Sequence, residues 1–366
     1  MKNQKILIEL LSNIEQKERT ALTTIIEAEE SKLIGSKSLI KNDEQQFSDM
    51  LTNILNDDQL DKLIDSSLQV LSQGTMQSDE LEFSENGQDV EIVVEPYYPN
   101  PRLIILGGGH VGQNLYQLAK ELDFKIAVVD DRPSFANQHL FPSAEEVICA
   151  GFKDALTELK ITESDYIVIA TRGHQHDFTC LQQVLNSEVA YIGMLGSKRR
   201  VYSIFNRLKE VGYSEEEIDK VKAPIGLDIG SETPAEIGVS ILAEIIKVRR
   251  TVVQQNNIAG EEAIRFLANY QGDYDTLALA TIIKTSGSTP RKAGSKMVIL
   301  PDGQIKGTIG GGCGESEVRQ QALDMIRQQG EALIHTIKLS NDLAAEEGMV
   351  CGGRMEVFIE PVIINN

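Results

Sequence analysis

Short apolar runs recur through the middle of the chain, each followed by a polar or amphipathic stretch. PRLIIL (101–106), KIAVVD (125–130), EVICA (146–150), DYIVIAT (165–171) and AYIGML (190–195) are continuous rather than alternating. Strands buried on both faces read this way. VGQNLYQLAKEL (111–122) carries apolar residues at helical spacing between the first two runs. This alternation predicts a parallel sheet with right-handed crossovers over residues 101–250. In that region's last helix, Thr233 reads as N-cap, Pro234 as first helical residue and Glu236 as the reciprocal capping-box partner. A different pattern starts near residue 273. TLALATIIKT (276–285), KMVILP (296–301) and the closing RMEVFIEPV read as strands, and ESEVRQQALDMIRQQG (315–330) as an amphipathic helix.

The pattern of the last segment also occurs at the start. ALTTII (21–26) matches ALATII (278–283), GSKSLI (35–40) matches GSKMVI (294–299), and GQDVEIVVEPYY (87–98) matches GGRMEVFIEPVI (352–363). The order is the same, so residues 1–98 read as a second copy of the C-terminal unit. That copy lacks cysteine, and NDEQQFSDM stands where the other has DGQIKGTIGGG. It reads as a packing or dimerisation element. The expected fold is α/β: a central Rossmann-like parallel-sheet domain (99–255) flanked by two smaller α+β copies, a degenerate one (1–98) and an intact one (262–366).

Charge narrows the function classes. The 366 residues carry 35 Lys+Arg against 55 Asp+Glu, a formal net charge of −20. Residues 1–98 alone hold 8 Lys+Arg against 20 Asp+Glu, so anion sites are to be sought in the remainder. A general nucleic-acid binder needs a basic surface, and Trp is absent, which removes the best base-stacking side chain. No apolar run is long enough for a membrane span. The first residues break their apolar run at Glu9 and show no secretory cleavage pattern. The four cysteines, Cys149, Cys180, Cys313 and Cys351, are widely spaced, which fits a cytoplasmic protein better than a disulfide scaffold.

Gly107, Gly109 and Gly112 satisfy G-x-G-x-x-G between the first strand and first helix of the central region. The first glycine permits the tight turn, the second lets a pyrophosphate reach the backbone, and the third lets helix and strand pack closely. The helix start offers free N–H groups to phosphate. Asp130 stands where a carboxylate accepts from a ribose hydroxyl. The alternative is a fold that kept its glycines for packing. His110 either contacts ligand or caps the turn. Arg172 sits in a loop with His174, His176 and Asp177, and Lys198, Arg199 and Arg200 form a cationic cluster in another. Both loops follow strands, where open α/β sheets bind ligands. The two histidines suit hydrogen bonding and capping better than a metal.

In the C-terminal unit, Ser286–Gly294 is rich in small residues and includes Arg291, a candidate oxyanion partner, although a plain turn reads equally well. Gly310-Gly311-Gly312-Cys313-Gly314-Glu315 precedes a helix. A thiol there is activated by the helix N-terminus, and the flanking glycines, Gly311 and Gly312 among them, let a large group approach. Cys351, between Val350 and Gly352, lies near Cys313 if the strand ends converge. Cys149 and Cys180, beside apolar elements, read as structural.

These residues together resemble the XdhC/CoxI family, accessory proteins that mature molybdenum hydroxylases such as xanthine dehydrogenase. GGGHVG, VVDDR, YIGMLGSKRR and PIGLDIGSETPAEIGVSILAEI carry the likeness in the central region, and GSTPRKAG, GGGCGE and CGGRMEVFIEP in the last. The resemblance implies binding of molybdenum cofactor (molybdopterin, in its simple or a dinucleotide form), support of its sulfuration and delivery to an apo-hydroxylase. A cysteine desulfurase is the implied sulfur donor. It also implies that Cys313, with Cys351, contacts molybdenum or carries sulfur, while Gly107–Gly112 and Asp130 hold the nucleotide-like end. Two other readings stand. An NAD(P)-dependent oxidoreductase would use the same glycine loop with His110, His174 or His176 as proton donor. A pure assembly factor would clamp the apoenzyme and bind no small ligand. A homodimer is a further expectation.

Overall fold

The computed structural model describes residues 2–41, 57–74, 76–81, 90–122, 124–252, 258–338 and 353–364. The chain divides into two compact units: residues 99–254 form one, and residues 1–98 together with 255–366 form the other. Cys351 and the NDEQQFSDM stretch lie outside the described residues.

The first sheet is antiparallel, with β1 (Thr20–Ala28), β2 (Lys37–Lys41), β3 (Gln77–Leu81) and β4 (Val90–Tyr97) in the order β2-β1-β4-β3. The central sheet contains β5 (Arg102–Leu106), β6 (Lys125–Asp130), β7 (Glu146–Cys149), β8 (Asp165–Ile169), β9 (Tyr191–Met194) and the two-residue β10 (Val221–Lys222). Its order is β10-β9-β8-β5-β6-β7 and every pairing is parallel. The third sheet is antiparallel, with β11 (Thr276–Ser286), β12 (Lys296–Ile299), β13 (Ile305–Gly307), β14 (Leu333–Lys338) and β15 (Arg354–Ile363) in the order β13-β12-β11-β15-β14.

The central strands are uninterrupted apolar runs because both faces are covered. Ile104, Leu106, Ala127, Val129, Ile167 and Ile169 enter one core with Phe152, Phe178, Leu181, Ile204 and Leu208. Their neighbours Leu103, Ile105, Ile126, Val128 and Val168 enter the other, against Leu115, Tyr116, Ile241 and Ile245. The period of two thus sorts alternate residues onto opposite helix layers. This is the doubly wound order in which ligands sit at the carboxyl ends of the strands. Thr233 and Glu236 cap the helix Pro234–Val252 reciprocally: the Glu236 N–H donates to the Thr233 hydroxyl at 3.3 Å, and the Thr233 N–H to the Glu236 carboxylate at 2.9 Å.

The two antiparallel sheets share one plan. β1 pairs with β2 and β4 as β11 pairs with β12 and β15. Ala21 faces Ile40 and Pro96, and Ala278 faces Ile299 and Pro361. Each long strand is irregular at the same place, between Ile25 and Glu27 and between Ile282 and Lys284. The helices Lys2–Glu15 and Ile258–Ala268 pack together, and Leu7, Leu10, Ile264 and Leu267 share a core with Leu22, Leu39, Leu279 and Val298. The copies also exchange charges. Lys37 donates to Glu360 at 2.7 Å and to Thr24 at 3.1 Å; Lys296 donates to Glu95 at 2.6 Å and to Thr281 at 3.1 Å. All four charged side chains are buried. Each sheet's buried lysine is thus answered by a glutamate of the other sheet.

Candidate cofactor-binding site

The glycine loop leaves the carboxyl end of β5 and opens the helix His110–Lys120. Its three fingerprint glycines differ in surroundings. A Cβ on Gly107 (φ +124°) would lie 2.3 Å from the Ala170 carbonyl oxygen, and one on Gly112 would lie 2.1 Å from the Gly107 carbonyl oxygen. These two permit the turn and the close helix–strand packing. Gly109 is the helix N-cap, and a Cβ there would meet nothing within 4 Å. The middle glycine of the fingerprint therefore faces open space. His110 is the first helical residue and its side chain is exposed.

Asp130 is turned inward and is only 2% exposed. Its carboxylate accepts from the Gly108 N–H at 2.9 Å, the Arg132 N–H at 3.1 Å, and the Arg132 Nε and Nη2 at 2.8 and 2.9 Å. Burial opposes its charge, but the hydrogen bonds from Arg132 and from the Gly108 and Arg132 amides prevail and hold its pKa below the usual aspartate value. In the structure these oxygens fasten the glycine loop to the segment after β6. Arg132, which sequence reasoning did not single out, stacks on Phe135 with its guanidinium carbon 3.7 Å from the ring centre. The pattern VVDDR contained the signal: an arginine two residues beyond the strand-end acid can fold back on it.

The two cationic loops also separate into anchors and open groups. Asp177 is fully buried, accepts from the Thr171 hydroxyl at 2.6 Å, and pairs with both Nε and Nη2 of Arg200. Burial pushes its carboxyl pKa up, against the pull of Thr171 and Arg200. Arg200 also donates to the Thr171 carbonyl at 3.3 Å. It ties two strand ends together, while Lys198 and Arg199 at the start of the helix Lys198–Glu210 are exposed. Arg172 is exposed and donates to Asp131 at 2.8 Å. His176 packs edge-on against Phe152, and among the described residues no cluster of three or more His, Cys, Asp or Glu could hold a metal ion. Cys180 is buried as expected, but Cys149 is exposed at the carboxyl end of β7, beside Asp130 in the strand register. Cys149 and Cys180 read alike in sequence, but strand polarity puts Cys149, the last residue of β7, on the open edge.

In the other unit, Gly310, Gly311 and Gly312 have φ of +128°, +75° and +69°, a backbone that side chains rarely tolerate. The helix Gly312–Gln328 starts inside this run, so the exposed Cys313 is its second residue. Glu315 braces the loop: one carboxylate oxygen accepts from the Thr308 hydroxyl at 2.7 Å and from the Gly311 and Ile309 N–H groups at 3.1 and 3.3 Å. The motif GGGCGE contains Glu315 but does not by itself show this bracing role. A Cβ on Gly310 would lie 2.5 Å from Pro290 Cγ, and one on Gly353 would lie 2.2 Å from the Ser288 carbonyl oxygen. The small-residue loop with the exposed Arg291, the glycine–cysteine loop and the start of β15 are thus packed together. Nothing lies within 4 Å of a Cβ on Gly311, which leaves the approach to Cys313 open from that side.

The fold and these loops define a doubly wound unit of dinucleotide-binding type, joined in one chain to an antiparallel unit bearing a glycine-flanked thiol. Family models match both: the XdhC Rossmann domain over residues 103–245, and the XdhC and CoxI family over residues 273–337. Together they take in more than half of the chain, which belongs to the XdhC/CoxI family. An uncharacterized protein YqeB of Escherichia coli is 33% identical over 198 residues, covering 51% of this chain and 36% of its own length. A Bacillus subtilis protein named as a probable xanthine dehydrogenase component is 35% identical over 165 residues, covering 45% of this chain and 48% of its own. The molybdenum cofactor insertion chaperone PaoD of Escherichia coli is 26% identical over 95 residues, 26% of this chain and 30% of its own length. The chain thus spans less than half the length of these relatives. A xanthine dehydrogenase structure from Bacillus halodurans aligns with TM-score 0.40 and 21% identity, covering 68% of this chain and 97% of that one. No helix among the described residues is long and apolar enough to cross a membrane.

Proposed function

We propose that this chain is an accessory protein that binds molybdenum cofactor, keeps it while it is sulfurated, and delivers it to an apo-hydroxylase of the xanthine dehydrogenase type. The observation that carries this reading is the exposed Cys313 behind three positive-φ glycines, in a chain of the XdhC/CoxI family. The name of the PaoD relative supports the cofactor, and that of the Bacillus subtilis relative supports the kind of partner.

The residues present fit such a cargo. A thiolate is a soft ligand for a transition metal. Gly311, Gly312 and Arg291 suit the approach of a bulky anionic group to that sulfur. The unit of residues 99–254, taken by itself, offers a phosphate-binding surface in the open Gly109, the helix start behind it, and the exposed Arg172, Lys198 and Arg199. Asp130 and Arg200 serve by fixing those loops. Cys351 is the proposed partner of Cys313, and a cysteine desulfurase the proposed sulfur donor. The cofactor supplies the metal and its sulfur chemistry; the chain supplies binding, orientation and shelter from solvent.

The test is recovery of pterin. The protein is purified from cells that make molybdenum cofactor, denatured and oxidised, and the fluorescent pterin is measured beside Cys313→Ala. Pterin in the native protein and less in the variant is the expected result. No pterin after incubation with fresh cofactor would sink the reading. An NAD(P)-dependent oxidoreductase, favoured by the glycine fingerprint, then becomes the working proposal, with nicotinamide nucleotide titration as its test.

A further inference from the structure

The sheet order places β5 between β6 and β8, and all three strands run parallel. Their carboxyl ends therefore share one edge, with the glycine loop in the middle. The loop is flanked closely on both sides: a Cβ on Gly107 would strike Ala170, and one on Gly108 would lie 1.9 Å from the Phe135 carbonyl oxygen. From these flanks come Arg172, after β8, and Asp131, after β6. Their side chains meet at 2.8 Å, with 49% and 25% of each exposed. Parallel neighbours are about 4.8 Å apart, so this ion pair reaches across a gap of about 10 Å over the strand that carries the glycine loop.

We propose that the Asp131–Arg172 pair is a latch across the mouth of the phosphate site, and that an incoming phosphate takes the place of the Asp131 carboxylate on Arg172. Asp131 is then a competitive internal anion. The neighbouring pairs differ in burial: Asp130 and Asp177 are 2% and 0% exposed and hold Arg132 and Arg200 in place. Of the three, the Asp131–Arg172 pair alone has no buried member, and solvent-accessible pairs are weak, so a ligand phosphate can open it easily. Arg172 is thereby held extended over the site before ligand arrives, in a planar fork suited to phosphate.

The proposal rests on the nucleotide-end reading of this loop, and the test separates the two. ADP is the probe, and its dissociation constant is measured by calorimetry with the full chain at fixed low salt. Asp131→Asn, close to isosteric, is expected to tighten ADP binding about two- to five-fold, the value of an exposed pair. Arg172→Gln is expected to weaken it about ten-fold. In the Arg172→Gln background, Asp131→Asn should change affinity by less than about two-fold, because the latch has already lost its arginine. A general field effect of the lost charge would persist in that background and overturn the latch. Asp131→Asn binding that is unchanged or weaker would also overturn it, while leaving the nucleotide reading intact. No ADP binding by the native protein or any variant would overturn both. Thermal melting of each variant checks that the fold is retained.

Discussion

The reciprocal charge exchange between the two copies makes a quantitative prediction. Replacing Lys296 by Met keeps the side chain's length and removes its ammonium, which leaves the Glu95 carboxylate without its donor at 2.6 Å in a site where it is 5% exposed. Removing one partner of a buried pair costs about 3–5 kcal/mol, because the remaining charge is desolvated and unanswered. Typical domains are stable by about 5–15 kcal/mol, so the substitution should take a large share of this unit's stability. With a urea m-value of about 2–3 kcal/mol/M, the midpoint should fall by about 1–2.5 M. The chain has two units, so a single global transition is not assumed. Urea titration with pulse proteolysis and mass spectrometry follows peptides from residues 2–98 and 258–364 separately from those of 99–254. Only the former should shift. Lys37→Met should behave alike, since Lys37 meets Glu360 and Thr24 as Lys296 meets Glu95 and Thr281. The double change Lys296→Met with Glu95→Leu should recover most of the loss, because no charge is then stranded. A Lys296→Met cost below about 1 kcal/mol, the range of a surface pair, would refute the claim that these pairs are buried between the copies.

Three further outcomes are expected. Alkylation of the native protein with iodoacetamide should label Cys149 and Cys313 and spare Cys180, which peptide mapping reads directly; protection of Cys149 would contradict its place on the open edge. Gly112→Ala should destabilise residues 99–254 by about 1–3 kcal/mol through its backbone clash, whereas Gly109→Ala, facing open space, should cost about 1 kcal/mol or less; equal melting shifts would argue against this division of roles. Asp130 has a folded-state pKa below its ordinary value, so its stabilising contribution is complete above that ordinary value and is lost as pH falls through the lower folded one. The stability gap between native protein and Asp130→Asn should therefore be flat above about pH 5 and shrink below about pH 4, and a gap that grew on acidification would reverse the sign of the argument.

The elements near the sheet edge were legible in the sequence because their signals are local. Continuous apolar runs marked β5 to β9, the glycine spacing marked the loop after β5, and the Thr233–Glu236 cap marked a helix start. β10 escaped because a two-residue strand has no periodicity of its own. The roles of the acids were not legible. Asp130, Asp131 and Asp177 look alike in sequence, yet one fastens the glycine loop, one reaches across it and one is fully buried under Arg200. Likewise, the buried Arg102 pairs with Asp165 through two hydrogen bonds of 2.8 and 2.9 Å, because β5 lies beside β8.

What the sequence by itself determined was the kind of element and the fold class, since backbone preference and hydrophobic period act over a few residues. What only the tertiary structure decided was partnership. Lys37 and Glu360 are 323 residues apart, Lys296 and Glu95 are 201 apart, and Arg172 reaches Asp131 over the strand between them. A charge pairs with whatever strand order brings within about 3 Å, and that order depends on the packing of whole sheets and helix layers, which no local pattern encodes.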